Sequence, residues 1–138
     1  MLDGSPFAPI PGFRRPDLFA EGCDDFVTDD SVAFLDKYPV SPGHLLVVPR
    51  RVVASVYDLP ACEYNDLWRL VRRCRTAFNE GRLGLVPDGY NIGLNDGTAA
   101  GQTIDHAHIH IIPRYRGDVE DARGGIRWVK PGKANYWG

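Results

Sequence analysis

The sequence predicts an α+β domain that is built on a mainly antiparallel sheet. Strand-like stretches outnumber helical ones, and neighbouring strands are separated by turn signals that are typical of hairpins. One long amphipathic segment near the middle of the chain predicts the main helix. A length of 138 residues, with 43% hydrophobic residues, fits one domain over residues 1–138 with a core of its own.

The first half of the chain supplies an arm, a hairpin and a buried strand. Residues 1–22 hold several prolines and glycines, which predicts an irregular N-terminal arm. Residues 26–28 and 32–35 are rich in β-branched and aromatic side chains and flank a polar turn, so we expect a short hairpin. The apolar run at residues 44–48 predicts a buried strand that ends at Pro49.

A helix is predicted over residues 60–80. Asp58 is a candidate N-cap, Pro60 suits the first turn, and Gly81 is a natural stop. Three arginines lie largely on one side and predict a solvated face, not a binding patch. The other side is apolar and consists of residues at helical spacing: Tyr64, Leu67, Trp68, Val71, Cys74 and Phe78.

Three of the four histidines occupy one short segment. His106, His108 and His110 alternate with small or apolar residues, and a β-strand sends alternate side chains to opposite faces. Residues 106–112 therefore predict a strand with all three imidazoles on one face. Imidazole can act as nucleophile, general acid or metal ligand near neutral pH. From these residues alone, a nucleophilic site, a catalytic zinc site with three histidine ligands and a purely structural role stay open.

The remainder of the second half predicts one more strand, a loop and a tail. Residues 90–95 are typical of a strand, and a loop of small residues follows at 96–102. Residues 113–138 contain six basic and three acidic residues, so this tail carries +3 while the rest of the chain carries −5. The tail is rich in glycine and poor in periodicity, which predicts an extended basic C-terminal arm.

Composition excludes several classes of protein. A net charge of −2 gives no indication of nucleic-acid or membrane binding. No apolar run approaches the ~18 residues of a membrane-spanning helix, and the first residues lack a signal-peptide pattern. Three widely spaced cysteines, Cys23, Cys62 and Cys74, form no disulfide framework, so we expect a cytoplasmic protein.

The segment His-Ala-His-Ile-His-Ile-Ile fits the pattern His-φ-His-φ-His-φ-φ, where φ is apolar, and so resembles the histidine triad (HIT) family. Residues 36–44, 95–97 and 101–103 are similar to family segments before the second strand and before the triad. Residues 117–125 resemble the tail of a bacterial subgroup described as diadenosine tetraphosphate hydrolase-like. The resemblance implies a HIT-like fold, with a mainly antiparallel five-stranded sheet, one long helix and one short helix.

The resemblance also implies a reaction and its residues. His108 corresponds to the family's nucleophile, which attacks the α-phosphate of an AMP-X compound and forms a nucleotidyl-histidine. The backbone carbonyl of His106 is expected to hold the other ring nitrogen of His108. His110 resembles the donor to a phosphate oxygen, and His44 is expected to support the triad from the neighbouring strand.

The remaining site residues follow from the same resemblance. Gln102 and Thr103, together with Gly101, look like the loop that contacts phosphate and leaving-group oxygens. This loop is not a P-loop, because the Gly-Lys-Ser/Thr ending is missing. Asn95 matches a polar position near the phosphates. Asp36 matches an acceptor for ribose hydroxyls, although it can also be read as an exposed acid at a strand end.

The resemblance favours hydrolysis over transfer, because the family's transferases replace the third histidine by glutamine and His110 is intact. It implies no cofactor: Val52 stands where many members have a zinc-ligating histidine, and magnesium is expected only as a counterion of a polyphosphate substrate. It implies a purine nucleotide substrate, a homodimer that pairs the central helices, and no nucleic-acid or membrane partner. The alternative is a nucleotide-binding regulatory scaffold with slow phosphoramidase activity.

The leaving group stays open, since dinucleoside polyphosphates, phosphoramidates and aminoacyl adenylates share the α-phosphate. We expect the basic tail to favour a polyphosphate leaving group through its charge. A tail that is solvated or braces a dimer is the alternative.

Overall fold

The computed structural model describes residues 26–138, so the predicted arm at residues 1–22 and Cys23 lie outside the described part of the chain. Three short 3₁₀ helices occupy Val56–Asp58, Thr98–Ala100 and Gly125–Val129. The described part of the chain has no helix that is both long and apolar enough to cross a membrane. The strands and α-helices are β1 (Ser31–Leu35), β2 (Leu45–Pro49), α1 (Ala61–Asn79), β3 (Gly89–Gly93), β4 (Ile109–Arg114) and α2 (Pro131–Ala134).

The four strands form one antiparallel sheet in the order β1-β2-β4-β3, which together with the two α-helices confirms the predicted α+β class. The predicted count of five strands was wrong, because four strands are present in residues 26–138. The expected first strand of the hairpin is reduced to one bridge, between Val27 and Val32. Backbone and side-chain hydrogen bonds between Thr28 and Ser31 close the turn, and no ladder extends beyond that bridge in the described chain.

One face of the sheet is covered by α1 and forms the core. Leu45 and Val47 of β2 are paired with Ile111 and Ile109 of β4, and all four side chains are fully buried. The helix contributes its predicted apolar face, which packs against β1, β2 and β4. Its buried residues are Leu67, Leu70, Val71, Cys74, Ala77 and Phe78.

The helix boundaries are close to the prediction, but its N-terminus is built differently. Asp58 belongs to a 3₁₀ helix that is capped by Ser55, whose side chain accepts a hydrogen bond from the backbone N–H of Tyr57. The residue before α1 is Pro60, which makes no side-chain cap. Gly81 ends the helix in the left-handed conformation, with φ of +72°, as expected of a C-terminal glycine.

The histidine strand and the tail also differ from expectation. β4 begins at Ile109, so His106 and His108 precede it in irregular chain. The tail is not extended throughout, because Pro113 and Arg114 complete β4 and later residues form a 3₁₀ helix and α2. The guanidinium of Arg127 donates to the carbonyls of Lys133 and Ala134, which ties these two short helices together. Local hydrogen bonds of this kind need no sequence periodicity, so pattern reasoning missed them.

Candidate active site

The face of the sheet opposite α1 carries a cavity of about 660 Å³ above β1, β2 and β4. Strand register explains its composition. Phe34 is paired with Leu46, and Leu46 with His110, so these three side chains share one face. The cavity is lined by Phe34, Asp36, Lys37, Tyr38, Val40, His44, Leu46, Asn95, Gly101, Thr103, Ile104, His108 and His110.

The β1–β2 connection brings Asp36 to His44. The backbone N–H of Asp36 donates to the carbonyl of His44 at 2.9 Å, which extends the β1–β2 pairing by one step. The Asp36 carboxylate then lies 3.5 Å from His44 Nε2. Asp36 also accepts a hydrogen bond from the backbone N–H of Tyr38 at 2.8 Å, which orients the carboxylate.

A chain of hydrogen bonds fixes the tautomers of two histidines. The backbone N–H of Val40 donates to His44 Nδ1 at 3.1 Å, so this nitrogen is an acceptor and the proton of neutral His44 is on Nε2. His44 Nε2 lies 2.9 Å from His110 Nδ1 and donates to it. The proton of neutral His110 is therefore on Nε2, where it can be donated to an anion.

His108 has the opposite tautomer. Its Nδ1 lies 2.9 Å from the backbone carbonyl of His106, which can only accept, so Nδ1 carries the proton. The lone pair of neutral His108 is therefore on Nε2. The rings of His108 and His110 are 5.2 Å apart between centroids. One imidazole with a basic nitrogen thus stands beside one that donates a proton, which suits attack on a phosphate.

Burial keeps two of these imidazoles neutral. The pKa of His110 is lowered from 6.5 to about 4, chiefly by burial and further by the neighbouring His108 and His44, against a smaller opposing effect of Asp36. The pKa of His44 is also lowered by burial, which Asp36 partly offsets. Neutral His44 and His110 are the forms that the hydrogen-bond chain requires.

Two predicted site residues do not line the cavity. His106 is only 2% exposed, and its Nε2 lies 2.7 Å from the carbonyl of Pro49. Gln102 accepts from the backbone N–H of Gly97 and donates to the carbonyls of Ala54 and Ile104. Both side chains therefore contact backbone, and as placed they hold other parts of the site in position.

The other predicted residues lie together at the cavity, namely Asp36, His44, Asn95, Gly101, Thr103, His108 and His110. Sequence reasoning did not assign the other six lining residues to the site, among them Phe34, Lys37 and Tyr38. Phe34 could have been found from strand alternation, because it is two residues before Asp36 on the same strand face. Lys37 and Tyr38 belong to an irregular turn, where no periodicity predicts side-chain direction.

One set of side chains has the donor atoms for a metal ion. Asp36, His44 and His110 offer ligand atoms that all lie within 4.8 Å of one another, and no other group of three is found among residues 26–138. In this arrangement His44 Nε2 and His110 Nδ1 already share a hydrogen bond. A metal ion would have to replace that bond and take the lone pair of each nitrogen.

Comparison with known proteins agrees with this geometry. The HIT domain family model matches residues 26–117, which span the sheet, α1 and all four histidines. The chain belongs to the HIT family.

Curated relatives include a bis(5'-adenosyl)-triphosphatase from Dictyostelium discoideum, which is 44% identical over 96 residues, covering 70% of this chain and 62% of the relative. An asymmetrical bis(5'-nucleosyl)-tetraphosphatase from Schizosaccharomyces pombe is 40% identical over 91 residues, covering 66% of this chain and 48% of the relative. The matches thus span about half to three fifths of these relatives.

Solved HIT structures share the fold. A HIT family protein from Bacillus anthracis aligns with a TM-score of 0.59 and 32% identity, covering 66% of this chain and 62% of that chain. The NitFhit protein of Caenorhabditis elegans aligns with a TM-score of 0.62 and 34% identity, covering 77% of this chain and 25% of that chain.

Proposed function

We propose that this protein hydrolyses AMP-X compounds, such as dinucleoside polyphosphates, through a nucleotidyl intermediate on His108. The observation that carries the proposal is the hydrogen bond from His108 Nδ1 to the His106 carbonyl, which leaves the basic lone pair on Nε2. A nucleophilic imidazole needs this arrangement. Related proteins support the substrate class, since two of them are named as a bis(5'-adenosyl)-triphosphatase and a bis(5'-nucleosyl)-tetraphosphatase.

The proposed reaction has two steps. First, the lone pair on His108 Nε2 attacks the α-phosphorus, the bond between phosphorus and X breaks, and X departs with the bonding electrons. Second, a water oxygen attacks the same phosphorus, and the bond to Nε2 breaks with its electrons returning to the ring. One of the two water protons is released and is taken up by X, which neutralises the charge that X gained on leaving. The sum is AMP-X plus water giving AMP and protonated X.

The surrounding residues are assigned by position. His110 donates from Nε2 to a non-bridging oxygen of the α-phosphate, and His44 holds His110 in the tautomer that can do so. Asn95, Gly101 and Thr103 line the same cavity and contact phosphate oxygens.

Two further residues complete the proposed site. Asp36 accepts from the ribose hydroxyls at the β1 end of the cavity, next to apolar Phe34, which faces the purine. Gln102 positions the loop before the triad, through its three contacts with backbone.

We also propose that the chemistry needs no resident metal ion, because hydrogen bonds from imidazole and from the loop stabilise the negative charge on the phosphate. Adenosine 5'-phosphoramidate is the substrate to use, because it has no polyphosphate that requires magnesium. A chelator should leave its hydrolysis unchanged. Loss of activity that zinc restores would assign the Asp36, His44 and His110 set to a catalytic metal.

The proposal extends to a cytoplasmic homodimer with a nucleotide as its small-molecule partner. Free thiols at Cys62 and Cys74 suit a reducing compartment. Dimerisation is supported by β3, which is an edge strand of the described sheet. It is also supported by an aromatic series at α1, formed by Tyr57, Tyr64 and Trp68.

The decisive assay is AMP release from diadenosine tetraphosphate and from adenosine 5'-phosphoramidate by the wild type and by His108→Asn. We expect turnover by the wild type and a loss of at least about 10²-fold in the variant. Binding of AMP without useful turnover would favour the regulatory scaffold.

One relative, from Mycobacterium tuberculosis, is named an AP-4-A phosphorylase. Formation of ADP in the presence of orthophosphate would therefore assign phosphate, not water, as the acceptor.

A further inference from the structure

A second cavity lies beside the first on the same face of the sheet. It has a volume of about 970 Å³ and is covered by the C-terminal segment. Register places its floor on β3 and β4, because Gly93 is paired with His110 and Asn91 with Ile112. Both cavities fall in the range of roughly 300–1,000 Å³ that is typical of small-molecule sites.

The two cavities share part of their walls. Val40, His44, Asn95 and His110 line both of them, whereas His108 lines only the first. Phosphoryl transfer places the attacking atom and the leaving atom on opposite sides of phosphorus. A phosphate that His108 attacks while His110 holds it therefore expels its leaving group away from His108. The second cavity is lined by His110 and Asn95 but not by His108, so we assign the departing group to it.

The second cavity is apolar on the side of the tail. Ile126 and Val129 are 71% and 76% exposed, although both belong to an ordered 3₁₀ helix, and Val119 is also exposed. With Ile112 of β4 they line the cavity. Exposed aliphatic side chains that face a cavity beside a reactive site are suited to the flat faces of a nucleobase.

The charges of the tail are mostly engaged within it. Arg114 forms two hydrogen bonds with Asp118 and one with Asn91. Arg123 pairs with Asp121, and its guanidinium also lies 4.8 Å from the centre of the Trp137 ring. Lys130 lines the cavity and has no ion-pair partner among residues 26–138. Of its basic side chains, the tail thus presents to the second cavity the ion-paired Arg114 and Lys130, beside an aliphatic wall.

We propose that this second cavity is a subsite for a nucleoside on the leaving group. Ile126 and Val129 contact the base of the departing nucleotide, and Lys130 contacts its polyphosphate. The inference rests on the proposed function and deepens it, because it selects dinucleoside polyphosphates over phosphoramidates among AMP-X compounds. It narrows the expectation that the tail favours a polyphosphate through its charge to Lys130, and adds an apolar contact with the base.

The test compares three substrates that share the AMP half and differ in the leaving group. Diadenosine tetraphosphate releases ATP, adenosine 5'-tetraphosphate releases triphosphate, and adenosine 5'-phosphoramidate releases ammonia. The variants are the double substitution Ile126→Asn with Val129→Asn, and Lys130→Gln. Matched controls are Val86→Asn, at an exposed valine outside both cavities, and Lys133→Gln, a neighbouring lysine that lines neither.

The double variant should lower kcat/KM for diadenosine tetraphosphate by roughly tenfold, as expected for a lost apolar contact, and leave the other two substrates unchanged. Lys130→Gln should lower kcat/KM for both polyphosphates but not for the phosphoramidate, and its effect should shrink at high salt. The controls should behave as the wild type. Phosphoramidate turnover verifies that each variant is folded.

Three outcomes would overturn the subsite. The first is an equal loss of kcat/KM on all three substrates, and the second is an unchanged kcat/KM for diadenosine tetraphosphate. The third is a change of sedimentation coefficient in the double variant, which would show that the cavity is a contact between copies of the chain. If the wild type released AMP from none of the three, the proposed function would fail first. If it hydrolysed the phosphoramidate while the variants lost no selectivity, only the subsite would fail.

Discussion

At the scale of single residues, two histidines of one segment differ in the nitrogen that carries the proton. The His106 carbonyl places the proton of His108 on Nδ1, whereas His44 donates to Nδ1 of His110 and so places the His110 proton on Nε2. One ring can therefore attack while the next donates. The His44 tautomer depends in turn on the backbone N–H of Val40.

The proposed contact of Asp36 with the ribose hydroxyls can be tested by substitution. Asp36→Ala should lower kcat/KM for an AMP-X substrate by roughly tenfold or more, because a carboxylate that accepts from hydroxyls is lost. The same substitution should have little further effect on a 2',3'-dideoxy substrate, which lacks those donors. Equal losses on both substrates would mean that Asp36 acts through His44, which lies 3.5 Å from its carboxylate.

His110 gives a prediction on stability and pH. Its pKa is about 4 in the folded protein, mainly because of burial, against 6.5 for an ordinary histidine. The unfolded chain therefore binds more protons between these values, so this residue's contribution to stability is present above pH 6.5 and is lost as pH falls to about 4. His44 acts in the same direction.

The measurement is the thermal midpoint of the wild type and of His110→Gln, which cannot titrate, between pH 7 and pH 4.5. The wild-type midpoint should fall more steeply than that of the variant over this interval. Parallel curves would show that His110 is not held neutral by the fold. Circular dichroism at pH 7 controls for folding of the variant.

At the scale of elements, the turn between β1 and β2 determines where His44 lies. Gly43 has φ of +88°, and a Cβ at this position would lie 3.0 Å from the ring of Phe78 in α1. Only glycine satisfies both conditions. Gly43→Ala should therefore lower the free energy of unfolding by about 2 kcal/mol or more.

Urea denaturation tests this prediction, with Gly89→Ala as the matched control. Gly89 has no left-handed φ, and nothing lies within 4 Å of the position of its added Cβ. A lower midpoint for Gly43→Ala at unchanged m-value is expected, and a near wild-type midpoint for Gly89→Ala. Similar midpoints for both variants would mean that the turn tolerates a side chain at residue 43.

Sequence patterns predicted regular elements and not the irregular ones. The helix face from Leu67 to Phe78 and the strand at residues 44–48 were found, because alternation and helical spacing follow from backbone geometry. The fold of the tail around Gly125–Val129 depends on specific hydrogen bonds, such as those of Arg127, and the predicted strand at residues 26–28 is reduced to one bridge in the described chain. Such bonds leave no periodic signal.

At the site, too, sequence patterns did not predict the irregular parts of the structure. The three histidines were expected on one strand face, but β4 begins only at Ile109 and His106 is buried against Pro49. Of the three, His108 and His110 line the first cavity, while the strand that was expected to present them is shorter than predicted. The second cavity was not predicted at all, since the tail has to fold back over β3 to enclose it.

At the scale of the whole molecule, the sheet separates the hydrophobic core on one face from the two cavities on the other. Its inner face packs against α1 and holds the core, and its outer face carries both cavities side by side. The residues that line the first cavity therefore come from the three strands β1, β2 and β4, from the β1–β2 connection and from the chain between β3 and β4. A side chain at residue 43 would press against Phe78 in the core, and we expect it to displace the site.

Assembly gives a further prediction at this scale. Tyr57, Tyr64 and Trp68 form an aromatic series, with Tyr57 66% exposed, and we expect it to be buried in a homodimer. Sedimentation velocity at micromolar concentration should give a dimer for the wild type and a shift towards monomer for Tyr64→Arg. Arg73→Ala, on the exposed side of α1, is the control. A monomeric wild type would contradict the expectation.

The central claim is that His108 becomes covalently nucleotidylated, and rapid quenching tests it most directly. Diadenosine tetraphosphate labelled at the α-phosphates should be mixed with excess protein and quenched in alkaline detergent within the first turnover. A nucleophilic His108 should give rapid release of ATP together with label on the peptide that contains His108, and neither should be seen in His108→Gly. Full wild-type turnover with no labelled protein at any time, or label on another residue, would contradict it.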